Sequence, residues 1–165
     1  MKRDKNVSKK IAVISFVVYL FLLMWIIVFK FRMDFSSLTY IRSVNLIPFK
    51  ENGFINGISG TVINLLLFFP IGMYLQVIMK KNWMRGTLLL TIAVIYEILQ
   101  YIFHCGVSDI TDVIMRMIGG VVGVMLIRSI YRLFSDQLDK YGVDEYFRLF
   151  SPLIPMISFG LLFIV

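Results

Sequence analysis

Long apolar runs separated by short polar segments constrain the fold of this chain more than any other feature. The first run, residues 11–29, has 19 residues with Ser15 as its only clearly polar side chain. As a helix it would be about 28 Å long, close to the thickness of a bilayer's hydrocarbon core. The chain is 59% hydrophobic with a mean hydropathy of +0.83, which is typical of a membrane protein. Its 165 residues fit one all-α integral membrane domain of four to five transmembrane helices.

The order of runs and breaks predicts the topology in detail. Spans are predicted at residues 11–29, 61–79, 87–103 and 109–127, with an outer loop at 32–60, an amphipathic cytoplasmic segment at 128–148 and a fifth span at 149–165. The last run is at the short limit for a span, so a re-entrant tail is its alternative. The first run exceeds the apolar length of a signal peptide and no cleavage site follows, so we expect it to be retained.

The distribution of basic residues predicts the orientation. With the N-terminus inside, twelve Lys and Arg fall in cytoplasmic segments and four in outer loops. Because basic residues accumulate on the cytoplasmic side, this predicts a multi-pass protein of the bacterial inner membrane with a cytoplasmic N-terminus. The net charge of +7 is explained by the same bias. No nucleic-acid-binding signature accompanies it, and we expect no nucleic-acid partner.

Polar groups interrupt the apolar runs where the third and fourth spans meet. An ionisable side chain at membrane depth costs about 2.5–3.5 kcal/mol and requires a partner, so such groups are candidates for function. The predicted topology places all of them on the outer side, either at the outer end of a span or in the outer loop. They are Arg42, Asn45, Asn64, Glu97, Gln100, Asp109, Asp112 and Arg116. The sequence therefore predicts a polar pocket in the outer leaflet.

Helical spacing also places the polar groups of each span on one face. Asp109, Asp112 and Arg116 share a face with Gly119 and Gly123. Glycines four residues apart allow membrane helices to approach closely. We therefore expect the fourth span to pack tightly against a neighbour and to turn its charged residues into the bundle.

Structural interpretations of these groups remain open. Asp112 and Arg116, four residues apart, could neutralise each other. Glu97 could be a protonated carboxyl group bonded to Gln100 or Tyr101, and the whole network could serve only to hold the helices together. The sequence contains no metal-ligand spacing, phosphate-binding loop or Ser/His/Asp arrangement. We expect no metal and no cofactor.

Five short motifs between residues 42 and 123 resemble the VanZ-like family. They are Arg42 with NLIPF at 45–49, Asn64 with FPIG at 69–72, EILQ at 97–100, DITD at 109–112 and GGVVG at 119–123. The resemblance implies a small bacterial membrane protein related to one associated with resistance to teicoplanin, a lipid-tailed glycopeptide. It also implies that the matched polar residues form the site. Arg116 departs from the family pattern, in which many members have Asn there and an Arg in the preceding loop.

Together these features predict binding of an amphiphile at the outer leaflet. The ligand would be a lipid-linked cell-wall precursor or the lipoglycopeptide itself, with membrane lipids as the other partners. The head group would meet Arg42, Arg116 and the amides. Two alternatives remain. One is a membrane enzyme acting on a lipid-linked envelope substrate, with Glu97 as candidate general acid or base and with Asp109 and Asp112 positioning a cation or the substrate. The other is a structural membrane scaffold.

Overall fold

Four long α-helices make up most of the part of the chain that the structure describes. The computed structural model describes residues 2–29, 44–45, 47–48, 54–103, 108–133, 154–155, 157–158 and 160. The helices are α1 (Lys2–Phe29), α2 (Phe54–Ile78), α3 (Asn82–Ile102) and α4 (Ile110–Leu133). The described part of the chain is therefore helical, as predicted, apart from one pair of very short strands.

All four helices are longer than the predicted segments, and α1 and α3 begin earlier, at Lys2 and Asn82. α2 begins at Phe54, inside residues 32–60 that the sequence predicted as loop, because Phe54 and Ile58 continue the helical spacing of apolar residues before Thr61. α4 extends to Leu133, into the segment predicted as amphipathic from 128 onward. Most of the predicted fifth span lies outside the described residues, although 154–155, 157–158 and 160 are helical.

Among the described helices, the contact between α2 and α4 is the most extensive. Three glycines of α4 and one of α2 bring the helix backbones together. Added Cβ atoms would collide with backbone at Gly72 (against Gly120), Gly119 (against Leu65) and Gly123 (against Phe69). The predicted close approach is thus present, and its partner is α2. At Gly120 a Cβ would also meet the side chain of Leu89, which brings α3 onto the same seam.

Tyrosine hydroxyl groups connect α1 to its neighbours. Phe16, Tyr19 and Leu23 follow helical spacing and are all buried. The Tyr19 hydroxyl donates to the carbonyl of Leu67 at 2.8 Å, in the turn before Pro70, where α2 lacks one backbone donor. The Tyr96 hydroxyl of α3 donates to the carbonyl of Leu20 in α1 at 2.6 Å. These bonds tie α1 to both α2 and α3.

A two-residue strand pair joins distant parts of the chain beside the helix ends. β1 (Val44–Asn45) pairs in parallel with β2 (Ser108–Asp109), and Asn45 lies opposite Asp109. β1 belongs to the predicted outer loop, while β2 immediately precedes α4. The pair therefore fixes part of the loop at the start of α4.

Two of the described helices, α3 and α4, are long and apolar enough to cross a membrane. Shorter apolar helical stretches occupy Lys10–Ile26 in α1 and Val62–Ile78 in α2. Large apolar side chains are exposed on all four helices, including Trp25 and Met125. Exposed apolar surface of this extent is typical of helices that face lipid or a partner.

Candidate functional site

A completely buried arginine lies at the centre of the polar groups. Arg116 is 0% exposed and sits two turns into α4. Its position follows from the glycine seam, because Gly119 and Gly123 on the same face hold this side of α4 against α2. The aromatic ring of Phe68 on α2 covers the guanidinium, with 5.7 Å between the guanidinium carbon and the ring centroid.

Acceptors from two other helices surround the guanidinium. Nη1 donates to Oε2 of Glu97 at 2.7 Å and to the carbonyl of Ala93 at 3.3 Å. Nη2 donates to Oε1 of Gln100 at 2.8 Å, and Nε donates to Oδ1 of Asn64 at 3.2 Å. Four bonds of this kind fix the planar group in one orientation. Arg116 thus connects α2, α3 and α4 through side chains that the sequence had singled out.

Asp109 forms a second centre at the start of α4. Its Oδ1 accepts the backbone N–H of Thr111 at 2.8 Å, which caps the helix. Its Oδ2 accepts from Nδ2 of Asn45 at 3.1 Å, and its own backbone N–H donates to Oε1 of Glu97 at 2.8 Å. Glu97 therefore links the two centres, because one of its oxygens faces Asp109 and the other faces Arg116.

Asn45 and Asp112 complete the arrangement. The Oδ1 of Asn45 accepts the backbone N–H of Ile47 at 3.2 Å, which forms the turn leading to Pro48. Asp112, in the first turn of α4, interacts with the side chain of Asn64. A carboxylate in this position is also favoured by the positive end of the helix dipole.

Exposure is graded across the site. Arg116 is buried, the Glu97 side chain is 12% exposed, and the other described members are half-buried. Those half-buried members are Asn45, Asn64, Gln100, Asp109 and Asp112. A cation therefore forms the floor of the site, and carboxylates and amides form its accessible edge.

Seven of the eight predicted site residues are brought together in this way. The eighth, Arg42, lies outside the described residues. The close ion pair of Arg116 is with Glu97, whereas Asp112 interacts with Arg116 through its charge and with the side chain of Asn64. Both Glu97 oxygens accept hydrogen bonds, Oε1 from the backbone N–H of Asp109 and Oε2 from Nη1 of Arg116. Whether these residues bind a ligand stays a prediction.

Sequence reasoning missed three contributors to the site. Ala93 lies four residues before Glu97, and Phe68 lies four residues after Asn64, so helical spacing alone could have placed both on the site face. Thr111 contributes its backbone N–H, which an Asp immediately before a helix start could have indicated.

The chemistry of the site is that of directed hydrogen bonds and charge. Within the described residues, no group of three or more His, Cys, Asp or Glu side chains could hold a metal ion. The accessible carboxylate and amide oxygens can accept hydrogen bonds, and the amide nitrogens can donate them. Such an edge suits a polar head group with hydroxyl or N–H groups, while the exposed apolar helix faces suit a hydrocarbon tail.

Comparisons with known proteins identify the family of this chain. The profile of the VanZ/LLP1 family matches residues 16–134, which include α2, α3, α4 and every described member of the site. Protein VanZ of Enterococcus faecium is 34% identical over 131 residues, covering 77% of this chain and 77% of that protein. No solved structure matches the chain. By the extent of the profile match and by its identity to that relative, this chain is a member of the VanZ/LLP1 family.

Proposed function

We propose that this protein contributes to glycopeptide resistance, specifically to teicoplanin, by binding an amphiphile at the edge of the Arg116 network. The ligand is a lipid-linked cell-wall precursor or the lipoglycopeptide itself, which share a hydrogen-bonding head group and an apolar tail. The protein is a multi-pass protein of the bacterial cell membrane with its N-terminus in the cytoplasm. In this orientation the site opens to the outer leaflet, where both ligands are found.

The convergence of polar groups from four separate segments supports this proposal most directly. β1, α2, α3 and α4 each contribute at least one described side chain to a site that lies between apolar helices. Polar clusters at membrane depth are expensive and are typically retained for function. The relationship to Protein VanZ supports the link to antibiotic resistance.

The hydrogen-bond pattern assigns different parts to different residues. Arg116 is enclosed by protein acceptors, so its part is to position Glu97, Gln100 and Asn64. The half-buried Asp109 and Asp112 are the carboxylates available to a head group. On binding, the head group would replace water as the hydrogen-bonding partner of these side chains, so its pattern of donors and acceptors would determine which ligands bind. Burial of the lipid tail would supply most of the affinity.

A structural scaffold is the second candidate, because most hydrogen bonds of the network are internal to the protein. An enzyme is less well supported, since Glu97 would have to give up one of its two partners before it could transfer a proton. The candidates differ in what a mild change at the edge should do. A scaffold would lose protein level, whereas a binding protein would lose resistance at an unchanged level.

The test is drug susceptibility of a sensitive Gram-positive host that expresses wild type, Asp112→Asn or Thr91→Val. Asp112→Asn removes a charge at the edge without changing shape. Thr91→Val is the matched isosteric control, because the exposed Thr91 hydroxyl bonds only its own helix at the Thr87 carbonyl. Membrane levels are measured by immunoblot in every strain.

We expect wild type and Thr91→Val to protect against teicoplanin but not against vancomycin, which lacks the lipid tail. Asp112→Asn should accumulate normally and protect several-fold less. If Asp112→Asn protects fully at a normal membrane level, the carboxylate of Asp112 is not part of the binding site. Loss of Asp112→Asn protein from the membrane would favour the scaffold, and absence of protection by wild type would overturn the resistance proposal.

A further inference from the structure

Two arginines share one amide oxygen at the end of the bundle opposite to the Arg116 network. The Oδ1 of Asn82 accepts from Nη1 of Arg85 at 2.7 Å and from Nη2 of Arg128 at 2.5 Å. Asn82 and Arg85 begin α3, whereas Arg128 lies near the end of α4. Because both guanidinium groups bond the same oxygen, two positive charges are held side by side across the helix interface.

No described carboxylate compensates these charges. The described carboxylate side chains are those of Glu97, Asp109 and Asp112, and all three belong to the network at the other end of the bundle. Within the described part of the chain, no ion pair involves Arg85 or Arg128. An amide oxygen is only a dipole, so an anion bound beside the two guanidinium groups would relieve the repulsion between them.

The two arginines differ in their freedom to bind such an anion. Arg85 is 8% exposed and also donates to the carbonyls of Met79 and Lys80, so it is fixed as a cap for the end of α2. Arg128 is half-buried, and its only hydrogen bond within the described residues is the one to Asn82. Within the described residues, Arg128 therefore has N–H donors that a ligand can use, and the charge of Arg85 would help to attract that ligand.

The surroundings indicate where that anion would come from. Lys80, Lys81 and Arg132 are exposed nearby along the same ends of α2, α3 and α4. Trp83 is 67% exposed at the start of α3. Exposed Trp beside basic residues is typical of the level of lipid head groups, and basic pockets between membrane helices bind phosphate-containing head groups.

We propose that the Arg85–Asn82–Arg128 cluster binds the phosphate of an anionic phospholipid. The lipid phosphate would sit against Arg128 with Lys80 or Lys81 beside it, and its acyl chains would lie along the exposed apolar faces of α3 and α4. This site goes beyond the proposed resistance function and lies at the opposite end of the bundle. Its occupancy would stabilise the α3–α4 contact from the end that lacks the Arg116 network.

The test is native mass spectrometry of the full chain purified in a neutral detergent. Phosphatidylglycerol is added to wild type, Arg128→Gln and Arg132→Gln, and phosphatidylcholine provides the uncharged comparison. Arg132→Gln is the matched control, because this substitution removes the same charge from an exposed position on the same helix. Within the described residues, no hydrogen bond joins Arg132 to Asn82. Thermal melting without added lipid verifies that each variant is folded.

We expect wild type to bind phosphatidylglycerol in preference to phosphatidylcholine and Arg128→Gln to lose about fivefold in apparent affinity, against less than twofold for Arg132→Gln. A large excess of inorganic phosphate should not displace the lipid.

Equal losses in the two variants would show diffuse charge attraction and overturn the site. Equal binding of the two lipids, or displacement by free phosphate, would also overturn it. If Arg128→Gln does not fold, Lys80→Gln/Lys81→Gln replaces it, with a loss of phosphatidylglycerol preference as the expected result.

Discussion

The guanidinium of Arg116 and the carboxylate of Glu97 form a 2.7 Å ion pair that joins α4 to α3 across 19 residues of sequence. The arginine is 0% exposed and the glutamate side chain 12% exposed. Removing one partner of a buried pair is costly mainly because the other charge is left without compensation. This relationship makes the two residues a single energetic unit.

The first prediction concerns that unit. Glu97→Gln should lower the free energy of unfolding by about 3 kcal/mol, because Arg116 keeps its charge in an apolar setting. Arg116→Met should be similarly damaging, while the double variant should be more stable than the sum of the single losses predicts, by about 1–3 kcal/mol. Unfolding in detergent, followed by circular dichroism, measures all four members of the cycle. Additive losses would show that the two charges do not act on each other.

The second prediction exchanges the chemistry of Asn45 and Asp109. Asp109→Asn keeps an acceptor for the N–H of Thr111 but turns an NH₂ group toward the NH₂ group of Asn45. Asn45→Asp instead places two carboxylates face to face. Each single variant should lose about 1 kcal/mol of stability and part of the resistance.

The double swap Asn45→Asp/Asp109→Asn is the rescue in that experiment. The hydrogen bond between the two side chains can form again with donor and acceptor reversed. The side chain at 45 still accepts the N–H of Ile47, and the side chain at 109 still accepts the N–H of Thr111. Stability should return close to that of wild type. If resistance returns as well, the link itself matters; if stability alone returns, the ligand requires the carboxylate on α4.

The third prediction tests the glycine seam. Gly123→Ala should strongly reduce the amount of folded protein, at a cost of about 3 kcal/mol or more, because its Cβ would meet the rigid backbone of Phe69. Gly86→Ala is the control, since a Cβ there has open space within α3 and alanine is the better helix former. Size-exclusion profiles in detergent measure both. Normal yield of Gly123→Ala would require the helices to be further apart than they are here.

The fourth prediction compares one chemical change at two buried tyrosines. Tyr96→Phe should lose about 0.5–1.5 kcal/mol, because its hydroxyl donates to the carbonyl of Leu20. The Tyr74 hydroxyl is buried without a partner in bonding geometry among the described residues, and neighbouring Ser158 gives its own proton to the carbonyl of Ile154. Tyr74→Phe should therefore be neutral or stabilising. Equal losses in thermal unfolding would contradict this difference.

Much of the site was predictable because its polar residues stand out against an apolar background. Helical spacing placed Glu97 with Gln100, and the same reasoning placed Asp112 with Arg116. It could not predict the close ion pair of Arg116 with Glu97, since the distance between side chains on different helices depends on how closely the helices pack. The seam at Gly119 and Gly123 sets how deeply α4 packs, while spacing within α4 shows only that Asp112 and Arg116 are close enough for their charges to interact.

The helix limits and the strand pair were harder to predict for different reasons. Residues 54–60 belong to α2, but Gly57 and Gly60 lower the helix propensity of this segment. The helical pattern in the sequence is therefore weak there. The pairing of Asn45 with Asp109 has no local signal at all, because two residues are too few to show strand alternation. The basic cluster around Asn82 was interpreted only as an orientation signal, since the sharing of one oxygen appears only when α3 and α4 are packed together.

The enclosure of Arg116 also has a consequence for biosynthesis. A ribosome makes Asn64 52 residues before Arg116, and Glu97 and Gln100 follow 19 and 16 residues before it. Until α4 is made, these groups must lie in the nascent protein without the cation that binds them all. α2 and α3 therefore reach their final packing only after α4 has been synthesised. A chain that stops before residue 116 should be a substrate for membrane quality control rather than a smaller functional protein.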